Sequence, residues 1–295
     1  MNEDMKKSDN PDDVIYIIGG SGNIENTLED KKGKAGAGKW KTVSAVLAAV
    51  MFAGIAAFAG KRLYSRFEYP RSRADSEIVS MLHERMHGQP GIGYSEKEVL
   101  GVSMKIYAIR GLKAYFADSI PPYIGEDIFL MTRNSDYRIK NGYSQIIGDY
   151  AVDGELMAKS TWRAGFMAVV DGNAQIGISR GGKVLRYVLG HDGSFFRQLA
   201  IVSAGVRCPS QYILKGKVSR CAYARDIDNN LYYVETVYPE TLFGFADALI
   251  ETGFVDAVYV TGGAQQSLFY RDSTGVAHGS YSDDKPHTMV IWRRD

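Results

Sequence analysis

TLFGFADALIETGFVDAVYVTGGAQQS, residues 241–267, places a helix, a strand and a loop in immediate succession. Leu242, Phe245, Ala246, Leu249 and Ile250 recur at the spacing that puts them on one face of a helix. Thr241 supplies an N-cap hydroxyl, and Gly253 can take left-handed backbone at the helix end. Asp256 to Val260 then reads as a buried strand. The loop that follows, Thr261, Gly262, Gly263 and on to Ser267, carries glycines that expose backbone N–H groups at a strand end. Such a loop suits a phosphate or a sugar hydroxyl.

Upstream, Val102–Ile109, Phe129–Met131, Gly165–Val170 and Ala174–Ile178 read as short strands, punctuated by turns such as Asp171-Gly172-Asn173. Many strands with one clear helix predict an α+β domain over residues 99–295. Its expected architecture is a mixed, largely antiparallel β-sheet core with a few flanking helices. Composition agrees: 45% hydrophobic and 12% aromatic content can fill a core, and 32 glycines suit tight turns. With 35 basic against 34 acidic residues, no global field points to nucleic acid as a partner.

The N-terminal part is of another kind. Residues 1–41 are polar, glycine-rich and charged, and read as a disordered tail. Within it GKAGAGKW, residues 33–40, has the outline of a nucleotide-binding loop, but Trp40 stands where magnesium needs a hydroxyl and no strand immediately precedes it. From Val43 to Gly60 no charge interrupts the chain, so residues 42–60 are expected to form one transmembrane helix, with partner membrane contact through 43–60. A signal-peptide core ending near Ala57-Phe58-Ala59 and an Ala-rich core helix are the alternatives. Lysines and arginines flank both sides, which leaves orientation open. Residues 61–98 read as a stalk and a helix, the latter over Ala74–His87, broken by Gly88, Pro90, Gly91 and Gly93.

Cys208 and Cys221 flank the candidate turn at Leu214–Lys217, so they are either a hairpin disulfide or two separate buried thiols. No CxxC or HExxH is present, and no metal ligand set is assigned. The sequence requires no cofactor; it neither demands nor rules out a divalent cation.

Three features stand in a telling order: Asn134 after an apolar strand, Arg220-Cys221-Ala222 before a turn and strand, and the helix with its Thr-Gly-Gly loop. Over residues 100–293 this order resembles the phosphodiester glycosidase family, as a divergent bacterial-type member. That family's pattern has an Asn-containing strand end, Arg-x-Ala, and Asp-Gly-Gly-x-Ser-Ser after the helix. Here Thr261 replaces the loop Asp, and Ser135, Asp136 and Tyr137 replace the glycine and aromatics usual beside the Asn. The resemblance implies hydrolysis of a glycosyl-1-phosphodiester in an envelope glycan or glycolipid, by a domain in the periplasm or outside the cell. The expected partner is a sugar phosphodiester or glycan; oligomeric state is left open.

On this reading Arg220, Thr261 and Asn134 are the candidate catalytic residues, and Gly262, Gly263, Ser267, His278 and His287 the candidate substrate contacts. Thr261 cannot activate water or balance a cation as a carboxylate does. Asp153 and Glu155 are the carboxylates considered as substitutes. The alternative is a catalytically impaired module that binds a carbohydrate or phosphodiester; a structural envelope protein is a third reading.

Overall fold

The computed structural model describes residues 46–60, 70–84, 88–141, 143–159, 163–208, 216–261, 268–280 and 288–295. The chain divides into two units, Met1–Ala57 and Phe58–Asp295. The polar tail, with the glycine-lysine stretch at 33–40, lies outside the described residues. The first described helix, α1, covers residues 46–60 and is exposed along its length. At about 1.5 Å per residue it spans roughly 22 Å, short of the ~30 Å hydrocarbon core of a bilayer. Among the described residues no helix is long and apolar enough to cross a membrane. The expected transmembrane helix over 42–60 is corrected accordingly.

The second unit is mostly β. Its largest sheet runs in the order β1 (Gly91–Val99), β2 (Val102–Arg110), β15 (Leu231–Thr236), β14 (Cys221–Arg225), β16 (Asp256–Val260), β12 (Ala200–Ser203) and β13 (Val206–Arg207). A second sheet runs β10 (Asn173–Ile178), β9 (Gly165–Val170), β11 (Ser194–Gln198), β7 (Tyr150–Val152) and β8 (Glu155–Ala158). A third runs β18 (Ala277–Ser280), β17 (Leu268–Arg271), β4 (Ile128–Arg133), β19 (Met289–Arg293) and β3 (Lys113–Ala117), and β5 (Tyr137–Lys140) pairs with β6 (Tyr143–Ile146) as a hairpin.

Every pairing among the described strands is antiparallel, which corrects the expected mixed sheet and α+β class. The reason lies in one connection. Helix α4 (Leu242–Thr252) carries the chain from β15 to β16, which run in the same direction, but β14 lies between them and is antiparallel to both. No parallel ladder forms, although the helix and strand periods in 241–260 are those the sequence predicts. Thr241 caps α4 by accepting the Gly244 N–H at 2.9 Å, and Gly253 ends it at φ +106°.

The inner faces of the three large sheets share one core, in which Tyr107, Leu130, Met167, Phe196, Tyr223, Val258 and Trp292 meet. Trp292 Nε1 donates to the Tyr223 hydroxyl at 2.9 Å, and that hydroxyl pairs with Thr132 Oγ1 at 2.5 Å. On the outer face of the largest sheet, Phe245, Ala248 and Leu249 of α4 pack on Ala222, Ala224 and Val234. Helices α2 (Asp75–Met81) and α3 (Lys183–Leu189) cover the second sheet through Ile78, Val184 and Val188. Thus α2 and β1, from the stretch read as a stalk, pack within the second unit. Just before α2, Ser72 donates to Asp256 at the start of β16, and Arg225 at the end of β14 bonds both. Cys208 and Cys221 are separate buried thiols in different clusters.

Arg197, on β11, is 2% exposed. Its Nε donates to Asp149 Oδ2 at 2.7 Å, and its Nη atoms bond the carbonyls of Ser179 and Gly181. A buried charge stripped of its partner is strongly destabilising. Asp149→Ala is therefore expected to lower the unfolding free energy by about 3–5 kcal/mol, read by urea denaturation; a loss under about 1 kcal/mol would show that the carbonyls alone satisfy the guanidinium.

Candidate functional site

The registers bring one set of strand ends together. Strands β4, β11, β15 and β16 finish, and β7, β9 and β14 begin, at the same end of the unit. There the Thr261 N–H donates to the Asn134 carbonyl at 3.4 Å, joining the end of β16 to the end of β4.

Two residues past Asn134, the Asp136 carboxylate is held from both sides. Thr261 Oγ1 donates to its Oδ1 at 2.5 Å, and Arg163 Nη1 to its Oδ2 at 3.2 Å. The same Nη1 bonds Gln198 Oε1, and Gln198 is itself fixed by donating Nε2 to the Ile147 carbonyl at 2.8 Å. Asp136 keeps 21% of its side chain exposed and Arg163 11%, so the pair is reachable from solvent. A carboxylate therefore stands against Thr261, supplied by a residue that the sequence marks only as a departure from the family pattern.

The readings of Asp153 and Glu155 lead elsewhere. They sit on the β7–β8 turn, at the far end of β7, where Asp153 takes φ +47° and bonds Ser194. Arg163 follows no recognisable motif; only its contact with Asp136 reveals it.

Arg220 is brought to the same end but is occupied. It is 1% exposed, and its Nε and Nη2 donate to the carbonyls of Glu240 and Gly216 at 2.9 and 2.8 Å. Its own N–H donates to Thr236 Oγ1 at 2.9 Å, and its guanidinium lies against the Tyr259 hydroxyl. Burial, and next the charge of Asp136, push the Tyr259 phenol up to about 12, while Arg220 pulls it down. Arg220 thus ties the Gly216 segment to the entrance of α4.

His278 is placed apart. It lies on β18, with Nε2 bonded to Asp272 Oδ2 at 2.7 Å and its ring stacked on Tyr270 at 4.8 Å. Tyr270 pairs with Leu130, four residues before Asn134 in the chain. Gly262, Gly263, Ser267 and His287 lie outside the described residues. Among the described residues no group of three His, Cys, Asp or Glu side chains could hold a metal ion. A cavity of about 680 Å³ lined by Arg110, Phe129, Arg271 and Arg294 belongs to the opposite end, where β4 begins.

One further carboxyl faces the core near this end. Glu235, on β15, is 5% exposed, accepts a bond from the Tyr107 hydroxyl at 3.2 Å and lies 3.9 Å from Lys105 Nζ. Burial raises its pKa above the ordinary carboxylate range, against the pull of Lys105 and Tyr107.

The sequence matches no protein-family model and no curated protein. In structure the chain is similar to the catalytic domain of zebrafish N-acetylglucosamine-1-phosphodiester α-N-acetylglucosaminidase, there auto-inhibited by its pro-peptide, with a TM-score of 0.52 at 12% identity over 72% of this chain and 86% of that one. The likeness is one of fold. A hypothetical protein from Synechocystis aligns with a TM-score of 0.47 at 10% identity, over 69% of this chain and 62% of that one. The family resemblance read from the motifs thus corresponds to a distant structural relationship.

Two outcomes follow from these contacts. Arg220→Ala removes two charge-assisted bonds made by a buried guanidinium and should cost about 3 kcal/mol of stability, measured by chemical denaturation; unchanged stability would sink the tether role. For Glu235, a raised folded-state pKa means that the stability it contributes is complete below its unfolded value and is lost as pH rises through the folded one. Glu235→Gln should therefore gain on the parent as pH rises above the ordinary carboxylate range, and a difference that does not change with pH would contradict the burial argument.

Proposed function

We propose that the Asp136 site hydrolyses a glycosyl phosphodiester, releasing the sugar and leaving a phosphomonoester. The observation that carries this reading is the Asp136 carboxylate held by Thr261 and Arg163 at the end where β4 and β16 finish. The carboxylate that the family pattern has at position 261 is replaced by a threonine, and a carboxylate from position 136 occupies its neighbourhood. The shared fold with a catalytic domain that acts on such a diester supports the same direction.

The chemistry asks for few groups. Asp136 takes a proton from water as the water oxygen bonds the anomeric carbon, and its charge faces the oxocarbenium-like centre that develops there. The bond from that carbon to the phosphate oxygen breaks, with its electron pair going to the phosphate. A phosphomonoester leaves readily, so no separate acid is required. Thr261 orients the carboxylate by donating to Oδ1. Arg163 engages Asp136 and Gln198 through Nη1; its Nε and Nη2 bond no partner among the described residues and are the donors for the phosphate oxygens.

Sugar release from a panel of glycosyl phosphodiesters tests the reading. Asp136→Asn, which keeps the shape and removes the charge, should lower kcat by about 10²–10⁴-fold. Thr261→Val should lower it by about 10-fold, the share of an orienting hydrogen bond. Wild-type protein that binds these diesters without releasing sugar, or Asp136→Asn protein as active as wild type, would replace hydrolysis with binding.

A further inference from the structure

The cavity of about 680 Å³ at the end remote from Asp136 collects arginines from three strand ends: Arg110 closes β2, Arg271 closes β17 and Arg294 follows β19. None of them forms an ion pair among the described residues. Arg271 is held in place. Its Nε, Nη1 and Nη2 donate to the carbonyls of Ile128, Gly275 and Gly125 at 3.3, 3.0 and 3.2 Å, and its guanidinium lies over the Phe269 ring at 5.7 Å. One N–H on each Nη is left without an acceptor among the described residues, so these donors are fixed in direction before a ligand arrives. Arg110 lies across β1 at Gly93, where a Cβ would stand 3.8 Å from its Cζ. Arg294 is anchored by its backbone N–H, which donates to the Asp127 carbonyl at 2.9 Å. The side-chain donors of Arg110 and Arg294 bond nothing among the described residues.

The carboxylates at the cavity leave this charge standing. Asp272 turns into its own loop: Oδ1 accepts from the Thr274 N–H at 2.8 Å, Thr274 Oγ1 at 2.6 Å and the Val276 N–H at 3.0 Å, and Oδ2 bonds His278. Glu126 is exposed and pairs with none of the arginines. Like charges gathered in a concave site repel one another, and an anion that enters relieves the repulsion. The volume is that of a small organic ligand, more than one inorganic phosphate fills, and Phe129 gives it an apolar wall. An acidic polypeptide laid along the edge of β1 fits less well, because Glu96 and Glu98 stand exposed farther along that strand.

We propose that this cavity is a second ligand site, which takes a small organic anion carrying more than one phosphate or carboxylate group. Arg271 is the fixed fork of the site, and Arg110 and Arg294 supply the further donors; guanidinium suits both kinds of anionic group because it can pair with each through two parallel bonds. The site is independent of the hydrolysis reading. Neither Asp136 nor Arg163 contributes to it, and it lies at the opposite end of β4.

Calorimetric titration of the full chain with citrate, pyrophosphate, adenosine diphosphate and inorganic phosphate tests the assignment. At least one of the first three should bind more tightly than inorganic phosphate; citrate as the best probe identifies a carboxylate ligand, and pyrophosphate or the nucleotide a phosphorylated one. Arg110→Gln and Arg294→Gln, both at exposed positions, should each weaken that probe by about 10-fold, while Arg163→Gln binds it as wild type does. Gly93→Glu keeps all three arginines but sets a carboxylate against Arg110, and should weaken the probe by a similar factor. Wild-type protein that binds none of the probes at millimolar concentration would overturn the site. So would affinity unchanged in Arg110→Gln, Arg294→Gln and Gly93→Glu, or affinity lost in Arg163→Gln, which moves the anion to the Asp136 end. Inorganic phosphate bound as tightly as the larger anions would remove the claim that the ligand carries several charged groups.

Discussion

The Tyr223 hydroxyl, accepting from Trp292 and paired with Thr132, is the contact on which the rest of the domain depends. It is a polar link through an apolar core, between the sheet that holds β14 and the sheet that holds β4 and β19. Such a link has one geometry, whereas packed leucines have several of similar energy. Thr132 lies two residues before Asn134 and four before Asp136. Fixing Thr132 against β14 therefore sets where the chain leaves β4, and so where Asp136 meets Thr261. Burial drives the phenol's pKa well up, which keeps Tyr223 a neutral donor and acceptor.

The helix and strand at 241–260 were legible because period and punctuation agree: apolar residues on one face, a threonine cap and a left-handed glycine. What alternation does not contain is the identity of a strand's partner. Gly165–Val170 is buried at every position, as is Ser194–Gln198, so neither shows which face meets which sheet. Arg197 within a wholly buried strand is illegible from residue type alone, since its place depends on Asp149 some way back along the chain. The run at 43–60 is uninterrupted by charge, but hydropathy carries no information about where a helix starts and stops.

The site was half legible for a related reason. Asn134, Thr261 and Arg220 stand out by motif, and the structure brings their strand ends to one place. Asp136 and Thr261 are 125 residues apart, so the loss of a carboxylate at one and its appearance at the other are unrelated facts until the strands are paired. Two departures from one pattern, in one sequence, were the available signal. Arg220 illustrates the converse: a residue can carry a motif and still spend its donors on the backbone. Recognition of a fold and assignment of a function to its residues draw on different evidence.

The Ser72, Arg225 and Asp256 contacts lie where β14 ends and β16 begins, the end remote from Asp136. This gives the β-rich unit a polarity. The segment entering it at Pro70–Arg73 is sewn to the floor, and the Asp136 carboxylate stands at the roof. A tug on that segment would load the floor contacts first and leave the roof undisturbed.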